Sequence, residues 1–191
     1  MSSNKVRYGL KKAYYSVVTI GQNNTPSFGT PKKLPGAVSL TLDSTAEQEV
    51  FYADDIAYYI ANSNNGYDGT LELALIPEDF QKDCLGSQVD DDGLLVETAS
   101  DAGNYFALLF EFAADKNAIR HCLYYCKASY GSIEGETKGE TAEVKTEELT
   151  FKASPLPDSE IIKAKTGDNT DSDRYDGWYS AVSLPTFDSS Q

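Results

Sequence analysis

The chain has 191 residues, of which 40% are hydrophobic and 24% charged, with a formal net charge of −14. This length suits one ordinary domain whose core needs no metal or disulfide for support, and the composition excludes a disordered tail. The apolar run at 105–110 is too short to span a bilayer. Residues 1–8 contain no apolar signal-peptide segment, so we expect the protein to be used without export.

The charge is unevenly distributed along the chain. Residues 1–42 hold six of the 16 basic residues and no acidic one, whereas 43–191 hold all 30 acidic residues. The six are Lys5, Arg7, Lys11, Lys12, Lys32 and Lys33. This asymmetry argues against tight nucleic-acid binding and is compatible with head-to-tail self-association, in which the six basic residues dock a neighbouring subunit. A soluble acidic protein with a locally basic strand is the alternative.

Apolar and polar residues alternate with a period of two along most of the chain, which predicts a mainly β protein. The predicted strands are 13–19, 38–42, 47–52, 57–61, 70–75, 105–112, 119–129, 149–153 and 179–183. The strand at 105–112 is apolar on both faces and is expected to pair with 119–129 across the polar turn 114–117.

One helix is predicted, at 77–86. Pro77 stands at its start, acidic residues occupy its first turn and Gly86 ends it. The segments 21–35, 131–142 and 157–177 are polar and are expected to be long connections ordered by a partner. We therefore predict one domain over 1–191, with a basic N-terminal arm at 1–12 and a C-terminal arm at 155–191.

Few residues are suited to catalysis or metal binding. Cys122 and Cys126 are expected on one strand face about 13 Å apart, too far for a disulfide or a shared zinc, so these and Cys84 are predicted to be reduced buried thiols. His121 lies mid-strand, where a structural histidine is favoured over a catalytic one. The acidic run at 90–93 does not fit a calcium loop and predicts a solvated turn. We expect no catalytic residue, metal or cofactor.

Six sequence phrases in a fixed order are more specific than any single motif. They are LPGAVSLTLD at 34–43, FYADD at 51–55, NGYDGTLELALIP at 65–77, SIEG at 132–135, LTFKASPL at 149–156 and YDGWY at 175–179. This series, which covers nearly the whole chain, closely resembles the major tail proteins (tail tube proteins) of long-tailed phages and prophages of Gram-positive bacteria.

The resemblance implies a tail-tube fold with two packed antiparallel sheets, a β-sandwich or split barrel, and one short flanking helix. Six copies would form a ring, and rings would stack into a tube around the tape-measure protein. The tail terminator and the distal tail or baseplate proteins would be further partners. DNA would later pass through the lumen without specific binding. The resemblance places the protein in the virion tail, and in the host cytoplasm during assembly, with neither enzymatic activity nor a membrane partner.

A lumen that lets DNA slide should be acidic or neutral, because lysines along it would hold phosphates by releasing counterions. The polar positions of the alternating strands are the candidate lining: Ser39, Thr41, Asp43, Glu47, Glu49, Thr70 and Glu72. The alternative is that these residues face bulk solvent on an outer sheet.

The other function that the sequence allows is a monomeric β-sandwich binding module, carbohydrate-binding or adhesin-like. The 13 tyrosines would suit a sugar-binding platform, but tyrosine is also a common strand residue.

Overall fold

Over residues 4–131 and 145–187, the part of the chain that the computed structural model describes, there are thirteen strands and two short helices. The strands are β1 (Arg7–Ile20), β2 (Pro26–Phe28), β3 (Lys32–Leu34), β4 (Ala37–Ser44), β5 (Glu47–Ala53), β6 (Ile56–Ser63), β7 (Tyr67–Leu73), β8 (Gln88–Val89), β9 (Leu95–Val96), β10 (Tyr105–Ala114), β11 (Ile119–Ser129), β12 (Glu147–Ala153) and β13 (Lys163–Lys165). The helices are α1 (Glu78–Phe80), continued by a π-helical turn over Gln81–Leu85, and α2 (Ser172–Asp176). The predicted mainly β class is confirmed.

One large antiparallel sheet contains most of the strands. Its order is β2-β1-β10-β11-β12-β7-β4, with β3 also beside β1 and β13 also beside β11. The sheet curls so that β1 comes close to β4, although no ladder joins these two strands among the described residues. Two separate hairpins, β5–β6 and β8–β9, complete the strand set. The curled sheet places its two halves on opposite sides of a shared core, and it does not close into a barrel.

The inner core lies on the concave side of the curled sheet. Alternate residues of β7, β10 and β12 point into it, as the period-two pattern predicts. Gly69 on β7 has a specific role there, because an added Cβ would lie 2.2 Å from the ring of Phe151 on β12. The aromatic ring therefore covers the glycine across the strand pair and fills the space that a side chain would occupy.

Helix α1 packs on the inner core through Phe80, which is fully buried. Its ring contacts Tyr15 at 4.9 Å and Phe106 at 5.2 Å between centroids, both edge-on. Pro77 precedes the first helical residue, and Gly86 ends the helical segment with a left-handed φ of 93°. The predicted helix at 77–86 is confirmed.

The C-terminal segment 155–187 covers the opposite face of β10 and β11. Leu156 and Trp178 are buried there in a second core with Leu109 and Tyr124. The indole Nε1 of Trp178 donates to the carbonyl of His121 at 3.4 Å. The C-terminal arm is therefore packed on its own sheet, and its residues 179–183 form no strand, contrary to the sequence prediction.

The N-terminal third is also more ordered than its polarity predicts. Residues 21–35 are not one long loop, because β2 and β3 pair with β1 and Leu34 is buried in the inner core. Residues 7–12 of the predicted arm are the beginning of β1. The predicted loop at 131–142 lies outside the described residues except for Gly131.

The three cysteines are buried free thiols, as predicted. Cys122 and Cys126 do not share a face, however: Cys122 belongs to the second core and Cys126 to the inner core. The cause is a bulge in β11, since Leu108 pairs with Leu123 while Phe106 pairs with Cys126. One extra residue between the two pairs moves every later side chain to the other face.

Candidate interaction surfaces

A polar face lies on the convex side of β4, β7 and β12. The register aligns Ser39 with Glu72, Thr41 with Thr70 and Asp43 with Asp68 across β4 and β7. The same β7 residues are aligned with a third row on β12. We define the polar face as Ser39, Thr41, Asp43, Asp68, Thr70, Glu72, Glu148, Thr150 and Lys152. Five of the seven predicted lining residues are thus brought together on one surface.

The polar face is predominantly acidic and its charges are arranged by local contacts. It carries four carboxylates against one ammonium, that of Lys152, whose Nζ lies 3.9 Å from Asp68. The Glu72 carboxylate accepts hydrogen bonds from the Thr146 hydroxyl at 2.6 Å and the Ser39 hydroxyl at 2.8 Å. These hydrogen bonds lower the pKa of Glu72 because they favour its ionised form. The face therefore stays negative at neutral pH.

The other two predicted lining residues, Glu47 and Glu49, lie elsewhere. They begin the β5–β6 hairpin, which is not joined to the large sheet by a ladder. We call residues 47–63 the exposed hairpin, because neither of its strands packs substantially on any other described element. At its tip Asp54 and Asp55 both adopt positive φ, as the tight turns of two-residue hairpins require. The sequence predicts these two strands but not their separation from the body.

Large apolar side chains are exposed on both faces of the exposed hairpin. Val50 pairs with Ile60 and Phe51 pairs with Tyr59, so successive pairs point to opposite sides. Tyr58 is 71% exposed and Phe51 62%. The exposed apolar residues of this hairpin are Val50, Phe51, Tyr52, Ile56, Tyr58, Tyr59 and Ile60. Apolar patches of this kind usually mark interaction sites.

The start of β1 and the two residues before it form a third candidate surface, the basic edge, which comprises residues 5–12. Arg7, Leu10 and Lys11 pair with β10 on one side, with register shifts before Leu10 and after Lys11. On the other side, β3 and β2 pair only with residues 13–15 and 18–20. Val6 and Tyr8 are exposed beside the cations of this segment. The basic edge therefore combines positive charge, apolar side chains and a strand edge that forms no ladder with described residues on one side.

The six predicted docking cations differ in what they contact. The Lys12 ammonium lies 3.1 Å from the nearly buried carboxylate of Glu111. Lys32 lies 2.6 Å from Asp83, and hydrogen bonding to that carboxylate raises the pKa of Lys32. The Arg7 guanidinium lies 5.0 Å from the centroid of the Phe112 ring. Lys12 and Lys32 thus serve contacts within the chain, whereas Lys11 forms no ion pair with any described residue.

His121 is placed as a structural histidine. Its ring stacks parallel to Phe110 at 5.0 Å and meets Phe112 edge-on at 5.5 Å. Burial, helped by the nearby charges of Lys163, Lys165 and Arg7, lowers its pKa to about 4. It is therefore neutral at pH 7. Across 4–131 and 145–187, no three His, Cys, Asp or Glu side chains come together as a metal site.

The acidic run at 90–93 forms the turn between β8 and β9, as predicted. The Asp90 carboxylate accepts backbone N–H groups of Asp92 at 3.0 Å and Leu94 at 2.7 Å. Its oxygens therefore stabilise the turn itself.

The most prominent tyrosine pair is engaged within the chain. Tyr105 stacks on Tyr125 at 4.0 Å, and the Lys127 ammonium lies 4.9 Å from the Tyr105 centroid. These two rings are therefore engaged within the chain, whereas Tyr8, Tyr52, Tyr58 and Tyr59 are exposed.

No known protein-family profile matches the chain, and no curated protein sequence matches it. None of the helices in the described residues is long and apolar enough to cross a membrane.

Proposed function

We propose that the protein is a structural virion protein, the major tail protein of a long-tailed phage or prophage. In this role six copies form a ring, and rings stack into the tube through which DNA is ejected. The ordered series of six phrases supports the proposal, and the observed mainly β fold with its flanking helix is consistent with it.

The observation that carries the proposal is the exposed hairpin. A subunit that functions alone rarely presents aromatic and aliphatic side chains on both faces of a ladder detached from its core. An assembling subunit does so because neighbours cover these side chains. The outer edge of β4 and the basic edge form no ladder with described residues, and strand edges without a ladder are templates for pairing with another chain.

The polar face is the proposed lumen lining. Four carboxylates on one surface would repel phosphates, and screening at about 10 Å in 0.1 M salt confines this repulsion to DNA near the wall. The tape-measure protein, tail terminator and distal tail or baseplate proteins are the proposed partners, and the virion tail is the proposed location.

Negative-stain electron microscopy of the purified chain over a concentration series tests this function. The proposal predicts rings or stacked tubes at high concentration. A monodisperse monomer at every protein and salt concentration would instead support the monomeric binding module.

A further inference from the structure

The exposed hairpin has a charge that restricts what can cover it. Its carboxylates are Glu47, Glu49, Asp54 and Asp55, and residues 47–63 contain no lysine or arginine. Two of these carboxylates stand at the turn, so insertion of the tip into a lipid bilayer would bury negative charge at its leading end. The expected partner surface is therefore a protein surface that is basic and partly apolar.

The basic edge of this same chain has those properties. Residues 5–12 carry Lys5, Arg7, Lys11 and Lys12 and no acidic residue. Val6 is 49% exposed and Tyr8 61%, so apolar contact area is present between the cations. The side of residues 7–12 away from β10 forms no ladder with described residues. The register to β10 shifts on both sides of Leu10 and Lys11, and Lys12 has a positive φ, so charge and apolar contact, not a regular added strand, are the expected basis of docking.

We propose that the exposed hairpin of one copy docks on the basic edge of the next copy. This inference rests on the proposed function, since it names the surfaces through which subunits join. The two surfaces are different, and each copy offers one hairpin and one edge. In the ring of the proposed function each hairpin docks head-to-tail on the edge of the next copy, whereas in a reciprocal two-fold dimer both contacts would join the same two copies and crosslinking would stop at dimers.

Crosslinking tests the pairing directly. The three native cysteines are buried, so introduced surface cysteines will dominate the reaction with a flexible bis-maleimide. The Tyr8→Cys/Tyr58→Cys variant should give a ladder of covalent multimers. A mixture of the two single variants should give mainly covalent dimers, and each single variant alone should stay mostly uncrosslinked.

Leu75 supplies the matched control. Its exposed fraction of 66% is similar to the 71% of Tyr58, and it lies outside the hairpin. The Tyr8→Cys/Leu75→Cys variant should give no ladder. Equal crosslinking of the two double variants would overturn the proposal, and so would efficient dimerisation of Tyr58→Cys alone, which would indicate hairpin-to-hairpin contact.

Charge reversal provides the second measurement. Lys11→Glu and Glu49→Lys should each raise the protein concentration needed for assembly about tenfold, as expected for loss of a close interfacial charge pair. The combined variant should restore assembly, whereas Lys165→Glu on the exposed β13 should leave it unchanged. The pairing would be rejected, and the proposed function kept, by three results together: the wild-type chain forms tubes, the combined variant does not regain assembly, and no crosslink forms between positions 8 and 58. Absence of any assembly by the wild-type chain would reject both.

Discussion

Glu111 shows how a buried charge is held in this protein. Its carboxylate is almost fully buried and contacts three groups: Lys12 at 3.1 Å, Arg120 at 3.2 Å and the Tyr179 hydroxyl at 3.1 Å. These contacts offset the cost of removing the charge from water. The charge asymmetry of the sequence assigns Lys12 to docking. Its contact with Glu111 is not visible in the sequence, because the three partners come from distant segments that only the folded sheet brings together. Lys11 is therefore the better residue for testing docking.

The histidine gives a prediction with a defined pH range. The folded pKa of His121 is about 4, below the value of about 6.5 expected in the unfolded chain. As the pH falls, the unfolded state binds the proton first, so stability present above pH 6.5 is lost towards pH 4. Between pH 7 and pH 5 this loss amounts to about 2 kcal/mol.

Urea unfolding at pH 7 and pH 5 measures this contribution, and His121 is the only histidine in the chain. His121→Phe, which keeps an aromatic ring beside Phe110, should lose less stability than the wild type over this range, by about 2 kcal/mol. Equal losses in the two proteins would show that His121 does not titrate in this way.

At the level of elements, the longer strands could be predicted and the shortest ones could not. In β4, β7 and β12 one face is at least partly buried and the other is more exposed, so alternation is visible in the sequence. Strands of three residues, such as β2 and β3, are too short for a period to appear. The exposed hairpin is the opposite case: its apolar residues predict strands correctly, but the same pattern would describe buried strands, so the sequence could not reveal its exposure.

The alternation of polar and apolar residues also predicts part of the polar face. Period two correctly placed the β4 and β7 residues on one side, but it could not reveal that β12 lies beside β7, because strand order depends on long-range pairing. The closeness of Glu47 and Glu49 to β4 in the chain predicts an adjoining strand, but both lie on the separate β5–β6 hairpin. Their part in a lumen lining stays a prediction.

If the polar face lines the lumen, reversing its charge should slow DNA ejection without blocking assembly. Asp43→Lys combined with Glu148→Lys replaces two exposed carboxylates, neither of which lies at the hairpin or the basic edge. The new cations would bind phosphates during passage. Ejection from virions that carry the variant should be measured as DNA release over time, with a slower rate expected.

Asp158→Lys combined with Asp168→Lys makes the same charge change at two exposed positions of the C-terminal segment. This control should eject DNA at the wild-type rate. Normal ejection by the polar-face variant would show that this surface does not line the lumen. Equal slowing by both variants would show that the change in net charge alone causes the slower ejection.

At the scale of the whole molecule, the charge asymmetry of the sequence corresponds to different surfaces of the fold. The positive segment that precedes residue 43 is largely strand β1 with its partners β2 and β3, and the acidic remainder contains both the hairpin and the polar face. A subunit with opposite charges at different surfaces favours directed association over random aggregation. The central claim is therefore that the isolated fold is one unit of a closed, stacked assembly.

Cryo-electron microscopy of the assembled wild-type protein tests that claim most directly, because a three-dimensional reconstruction gives both the subunit number and the orientation of each face. The account predicts six copies per ring, stacked rings, and the β4–β7–β12 polar face towards the channel. A reconstruction without a channel, or with the polar face on the outside, would contradict it.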